Sequence, residues 1–131
     1  MDNIWCRKYW VRNRLPGFLL YSTGRPRGSE VVRIWLRALT EADRRVIGGD
    51  LLRVQVKWPV GMPLCRAMGK GLWELRSDLD GGRIARVLFC FAQGRLIVLH
   101  GFLKKTQRTP QKELDLAAIR KREYELGDEN D

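Results

Sequence analysis

The stretch from Gly71 to Gln111, GLWELRSDLDGGRIARVLFCFAQGRLIVLHGFLKKTQRTPQ, decides the fold of this chain. Leu72 to Ser77 alternates apolar and polar residues, and Ile84 to Phe91 is the most apolar run. The pair Gln93-Gly94 then precedes a second apolar run, Leu96 to Leu103. Alternation with a period of two is typical of strands, and a short glycine-containing link between such runs is typical of a hairpin. The stretch therefore predicts three consecutive antiparallel strands.

Two helices are predicted before these strands. Apolar residues recur at intervals of three and four between Ser29 and Leu39, which indicates an amphipathic helix. Thr40-Glu-Ala-Asp43 resembles a capping box and predicts the start of a second helix. That helix must end before Pro59, because proline disfavours helical geometry in the preceding residue. The segment from Trp58 to Lys70 is predicted as a loop.

The chain ends are assigned by composition. Residues 18–22, FLLYS, lie between proline and glycine residues and predict a further strand, and Thr109-Pro110 predicts the cap and first position of a last helix. We expect residues 1–17 to form a basic N-terminal arm or extra strand, residues 18–126 to form the folded domain, and residues 127–131 to form an acidic disordered tail. The fold class is α+β: strand, helix, helix, three antiparallel strands, helix, with two helices packed on one face of a mainly antiparallel sheet.

The chain carries 25 Lys and Arg residues against 15 Asp and Glu residues. The electrostatic field of this positive charge excess attracts polyanions, so the candidate partners are nucleic acid, the ribosome, an acidic protein or anionic lipid. A charge excess can also serve solubility alone. The three cysteines are odd in number and lack the close spacing of zinc sites, which favours reduced thiols and a cytoplasmic protein. No apolar run is long enough for a membrane span. We expect no metal, no cofactor and no membrane partner.

Basic residues are concentrated in the strand region, and no acidic residue follows Asp80 before Gln111. This composition is suited to binding phosphates. The basic positions are Arg83, Arg86, Arg95, His100, Lys104, Lys105 and Arg108.

Several of these segments are similar to a known family. GLWELR, RIARVLFCF and LIVLHGFLKKTQRTP, together with GRPRGSEVVRIWLRAL and WPVGMPL, resemble the phage-derived HigB-like branch of the RelE/ParE toxin superfamily. The resemblance implies the toxin of a type II toxin–antitoxin pair, neutralised by a cognate antitoxin that usually carries a helix-turn-helix. RelE-type and HigB-type members enter the ribosomal A site and cut mRNA without a metal, whereas ParE-type members poison gyrase.

The resemblance also implies roles for individual residues. In cleavage by 2′-hydroxyl attack, Arg76 would be the cation that stabilises the transition state, Arg86 and Lys105 would clamp the phosphate, and His100 or Lys104 would carry the proton. Three further arginines would bind RNA: Arg83, Arg95 and Arg108. RelE also relies on a tyrosine shortly after the last strand, where this chain has Thr106 to Gln111. A gyrase poison and a nucleic-acid-binding phage remnant without cleavage activity therefore remain alternatives.

The strand register decides which of these residues converge. A two-residue loop at Gln93-Gly94 pairs Val87 with His100 and places His100 on the side of the helices. If Arg76 pairs with Arg86, then Glu74, Arg76, Arg86, Leu88 and Lys105 share the other, open face. A bulge at Gly94 would reverse the placement of His100.

Ordinary structural roles compete with these assignments. Glu74 and Arg76 can form a surface ion pair. His100 can be a hydrogen-bonded structural residue, and Trp73 can belong to the core.

Overall fold

The computed structural model of the protein describes residue 32 and residues 34–92, 95–104 and 108–130. The predicted strand at 18–22 and the predicted arm at 1–17 lie outside the described residues, as do Gln93-Gly94 and Lys105. In the described part of the chain, no helix is long and apolar enough to cross a membrane.

Helix α1 spans Glu41–Lys57. The hydroxyl of Thr40 accepts a hydrogen bond from the backbone N–H of Asp43 at 3.1 Å, which satisfies one of the free N–H groups of the first turn. Both the predicted cap and the predicted end before Pro59 are confirmed. Residues 34–37, within the range of the earlier predicted helix, are also helical.

Among the described residues, the sheet has four antiparallel strands in the order β1-β2-β3-β4. Their bounds are Cys65–Gly69, Leu72–Asp78, Ile84–Ala92 and Arg95–Lys104. The prediction of a loop from Trp58 to Lys70 was therefore wrong for β1. This strand is short and mostly exposed, with only Cys65 fully buried, so its residues show little of the apolar alternation that marks a strand.

Helix α2 spans Gln111–Asn130 and so runs into the segment for which the sequence predicts a disordered tail. Its first backbone bonds reach the carbonyl of Pro110, which accepts from Leu114 N at 3.3 Å. Thr109 was predicted to cap this helix, but its hydroxyl bonds two side chains of the sheet instead.

The two faces of the sheet are covered by different helices. Leu36 and α1 residues such as Ile47 and Leu51 pack on one face, against a group that includes Val87 and Phe89. On the other face, α2 contributes Ala117 and Tyr124 to a second cluster with Leu72, Leu88, Cys90, Ile97, Leu99 and Phe102. The predicted α+β class, with its helices from the first half of the chain on one face, is confirmed.

The hairpin of β3 and β4 begins in the predicted register and then leaves it. Phe89 pairs with Val98 as expected, but Leu88 pairs with His100 and Val87 pairs with Gly101, so Leu99 is an extra residue in β4. The predicted pair of Val87 with His100 was wrong. Compared with the predicted regular ladder, this extra residue moves every following side chain of β4 to the opposite face of the sheet. His100 therefore lies on the same face as Leu88.

The same shift turns Gly101 towards the helical residue Trp35. A Cβ atom on Gly101 would lie 2.3 Å from Cζ3 of the Trp35 ring, which is closer than any real contact. This position of β4 therefore requires glycine for packing.

We expect Gly101→Ala to lower the free energy of unfolding by about 1–3 kcal/mol, because the added methyl group forces the indole ring to move. Gly49→Ala is the matched control, since no atom lies within 4 Å of its ideal Cβ and alanine favours the helix by up to about 1 kcal/mol. Urea unfolding of both variants tests this. Equal stability of Gly101→Ala and the parent protein would contradict the packing.

Candidate nucleic-acid interface

A cleft opens beside β1 and β2 on the face of the sheet that carries α2. Helix α2 packs mainly over β3 and β4, so α2 itself does not cover this end of the face. We call it the β1–β2 cleft, and its lining residues are Met62, Pro63, Leu64, Arg66, Glu74, Arg76 and Arg86.

Two arginines of the cleft lie partly or fully in solvent. Arg76 pairs with Arg86 across β2 and β3, which is the register that the shared face of these two arginines requires, and Arg66 pairs with Glu74 across β1 and β2. Arg66 is exposed and Arg76 is half-buried. No acidic side chain of the described residues forms an ion pair with either of them. The cleft therefore presents two guanidinium groups to an anion.

Arg86 is not on an open surface, contrary to prediction. Its side chain is only 1% exposed, and its Nη1 atom donates to Oε1 of Glu74 at 3.1 Å and to Oγ1 of Thr109 at 3.3 Å. The Thr109 hydroxyl in turn donates to Oε2 of Glu74. Glu74 thus bonds Arg86 rather than forming the predicted surface pair with Arg76. These three side chains, the buried triad, join β2, β3 and the start of α2.

His100 is held in a hydrogen-bond network between β4 and α2. Nη1 of Arg120 lies 3.2 Å from Nδ1 of His100, and it also donates to the carbonyl of Leu99 at 2.9 Å. A guanidinium can only donate, so Nδ1 is the acceptor and Nε2 carries the proton that bonds Glu113 Oε1 at 2.5 Å. The ring also stacks on Phe102 at a centroid distance of 5.5 Å. His100 therefore has the hydrogen-bonded structural role that the sequence analysis weighed against catalysis.

Burial lowers the pKa of the Arg120 guanidinium, and Glu123 opposes that shift. The cation beside His100 is thus partly desolvated. Two hydrogen-bond acceptors, the carbonyl of Leu99 and Nδ1 of His100, compensate for the lost hydration.

Arg83 forms a bidentate ion pair with Asp43 of α1. Its two terminal nitrogens donate to the Asp43 carboxylate at 2.7 and 3.0 Å, and its Nε donates to the carbonyl of Asp80 at 2.9 Å. The hydrogen bond from Arg83 holds the pKa of Asp43 below its usual value, against the opposing effect of burial. Arg83, predicted to bind RNA, therefore fixes the turn after β2 to α1.

The remaining predicted residues lie near the ends of strands or loops. Arg95 begins β4, and Lys104 ends it opposite Ile84. Arg108 is exposed just before α2. The structure thus brings Arg76 and Arg86 together and separates Arg83 and His100 from the cleft.

The described thiols are buried and protonated. Burial raises the pKa of Cys65 and of Cys90 to about 11, so neither is a nucleophile at neutral pH. No cluster of three potential metal ligands occurs among the residues that the structure describes.

Arg66 was missed by sequence reasoning because β1 was missed. The available signal was local: a single buried position at Cys65, followed by a basic residue, just before the turn into β2. Only the pairing of Arg66 with Glu74 reveals that this arginine shares a face with Arg76.

Most of the described part of the chain matches a known family. A family model described as "Phage derived protein Gp49-like (DUF891)" matches residues 34–122. This range includes α1, strands β1 to β4, the residues that line the β1–β2 cleft and most of α2. A search of curated proteins finds no significant match.

We expect Thr109→Val to destabilise the protein by about 1–3 kcal/mol, because Glu74 loses a hydroxyl donor in a buried site. Thr109→Ser keeps the hydroxyl and removes one methyl group, which costs about 0.8 kcal/mol. Urea unfolding compares the two. The triad would be unimportant for stability if valine proved no worse than serine.

We expect the stabilisation by Asp43 to depend on pH. The native carboxylate has a pKa below the usual 3.8, so its contribution is complete above that value and is lost as the pH falls through the native pKa. The difference in unfolding free energy between the parent protein and Asp43→Asn should therefore be large near neutral pH and shrink in acid. Glu41→Gln is the control, because Glu41 forms an exposed pair with Arg45 and should show little difference at any pH. A constant Asp43→Asn effect from neutral to acidic pH would contradict the ion pair.

Proposed function

The chain belongs to the family of Gp49-like phage-derived proteins, and on that premise we propose that it is the toxin of a type II toxin–antitoxin pair that cuts messenger RNA. The family is associated with RelE-like toxins. The observation that supports RNA as the target is the β1–β2 cleft, where Arg66 and Arg76 have no acidic partner among the described side chains.

Phosphate recognition follows from the chemistry of these two residues. A guanidinium is always charged, and its planar set of N–H donors matches the oxygens of a phosphodiester. The neighbouring charges, Arg86 and Glu74, already neutralise each other. The cleft lining therefore has a net positive charge, which is carried by the solvent-accessible side chains of Arg66 and Arg76.

Cleavage would proceed by attack of the ribose 2′-oxygen on the adjacent phosphorus. The bond from phosphorus to the 5′-oxygen breaks, a base removes the 2′ proton, an acid protonates the 5′-oxygen, and the products are a 2′,3′-cyclic phosphate and a 5′-hydroxyl. In this proposal Arg76 stabilises the extra negative charge of the phosphorane. The buried triad fixes the strand pair from which Arg76 extends.

The proton carriers are proposed at the end of β4. Both oxygens of Glu74 already accept hydrogen bonds, and His100 is bonded through both ring nitrogens. Lys104 ends β4 two residues after Phe102, which pairs with Arg86. A lysine can act as a base if neighbouring cations lower its pKa, and this part of the chain is rich in cations.

Partners follow from the same proposal. The toxin would act on mRNA in the ribosomal A site, in the cytoplasm, and a cognate antitoxin would neutralise it. An acidic antitoxin segment placed over Arg66 and Arg76 would both balance their charge and exclude the RNA.

We expect Arg76→Ala to relieve growth arrest after induction and to reduce mRNA cleavage about 100-fold, since one transition-state donor is lost. Arg76→Lys should retain part of the activity. Arg45→Ala is the matched control, because that exposed arginine lies on α1 outside the cleft lining. Primer extension on cellular mRNA measures the cuts.

Two results would contradict the proposal. Cleavage that is unchanged in Arg76→Ala would remove the cleft from the mechanism. Intact mRNA together with gyrase-dependent DNA breaks would instead identify a ParE-like poison. Arg86→Ala is a poorer test, because breaking a buried ion pair costs about 3–5 kcal/mol of stability and would confuse folding with activity.

A further inference from the structure

One wall of the β1–β2 cleft is apolar and unusually exposed. Met62 and Pro63 line the cleft beside Arg66 and Arg76, and both are exposed. At 73%, Met62 is the most exposed large apolar side chain among the described residues. An apolar group held in solvent next to two cations has no role in the core of this protein.

The wall is fixed relative to the cations by backbone hydrogen bonds. The N–H of Cys65 donates to the carbonyl of Gly61 at 3.1 Å and closes the loop. The N–H of Arg76 donates to the carbonyl of Leu64 at 2.9 Å and joins the loop to β2. Because one of these bonds is made by Arg76 itself, the apolar wall and the guanidinium-bearing strand keep a constant spacing.

We propose that Met62 and Pro63 form a nucleobase subsite, so that the cleft selects single-stranded RNA. This inference rests on the proposed function, because Arg66 and Arg76 must hold the phosphate that adjoins the base. In a duplex the bases are stacked inside and cannot reach a wall beside the backbone, whereas an unpaired base can turn onto it. Contact with the flat face of the base would remove the methionine side chain from water.

The subsite distinguishes bases poorly. The side chains of Met62, Pro63 and Leu64 carry no strong hydrogen-bond donor or acceptor, so they cannot read the edge of a base. Contact through the base face is tolerant of sequence, as in other single-strand binding sites. Any codon preference of the toxin must therefore come from the ribosome or from other residues.

The test is fluorescence anisotropy with a short, labelled 2′-O-methyl RNA, which lacks the hydroxyl needed for cleavage. We expect Met62→Ala to weaken binding of the single strand about fivefold, which corresponds to about 1 kcal/mol. Its affinity for an otherwise identical abasic strand should not change. Ile119→Ala is the matched control, since Ile119 is also exposed, at 56%, but lies on α2.

The outcomes separate this inference from the proposed function. Equal weakening of the normal and abasic strands by Met62→Ala, or equal affinity of the parent protein for single-stranded and duplex RNA, would overturn the base subsite alone. Arg66→Ala with Arg76→Ala should weaken binding of every strand at least tenfold and lower the salt dependence of the binding that remains. Unchanged affinity and salt dependence in this double variant would overturn phosphate recognition in the cleft, and with it both proposals.

Discussion

The buried triad of Glu74, Arg86 and Thr109 is the interaction on which the rest of the structure depends. Burying two opposite charges is costly unless each is paired and hydrogen-bonded, and here one hydroxyl bonds both members of the pair. The triad connects the two central strands, β2 and β3, to Thr109, two residues before the start of α2. It therefore sets the position of that helix, and the helix sets how much of the sheet stays open as the β1–β2 cleft.

The arginines discussed above fall into two groups: those that bond other residues of the protein and those that face the cleft. Their position in the sequence does not tell the groups apart. Arg83 is bound to Asp43, Arg86 is in the triad, and Arg120 bonds β4. Arg66 and Arg76 face the cleft without an acidic partner among the described residues. A positive composition alone does not distinguish these groups, because an ion pair depends on contacts between residues far apart in the chain.

The sequence predicted the fold class and the cap and end of α1, since each leaves a local signal such as Thr40 before Asp43 or the alternation in β2. Three features could not be predicted. Strand β1 has only one fully buried residue, so its sequence shows no apolar alternation. The extra residue Leu99 changes the register without changing the apolar run. The burial of Arg86 depends on Thr109, which is distant in sequence, and the same contact explains why Thr109 does not cap α2.

The bulge at Leu99 has a consequence for insertions and deletions during evolution. Removing Leu99 would leave a regular ladder in which Leu88 still pairs with His100 and Val87 still pairs with Gly101, so every later side chain would keep its face. Without that deletion, a regular ladder would place His100 opposite Val87, where Gly101 now lies and even a methyl group does not fit beside Trp35. Phe102 would also turn away from the cluster beneath α2. We therefore expect related sequences to lack the bulge only where they are one residue shorter between Val98 and Gly101.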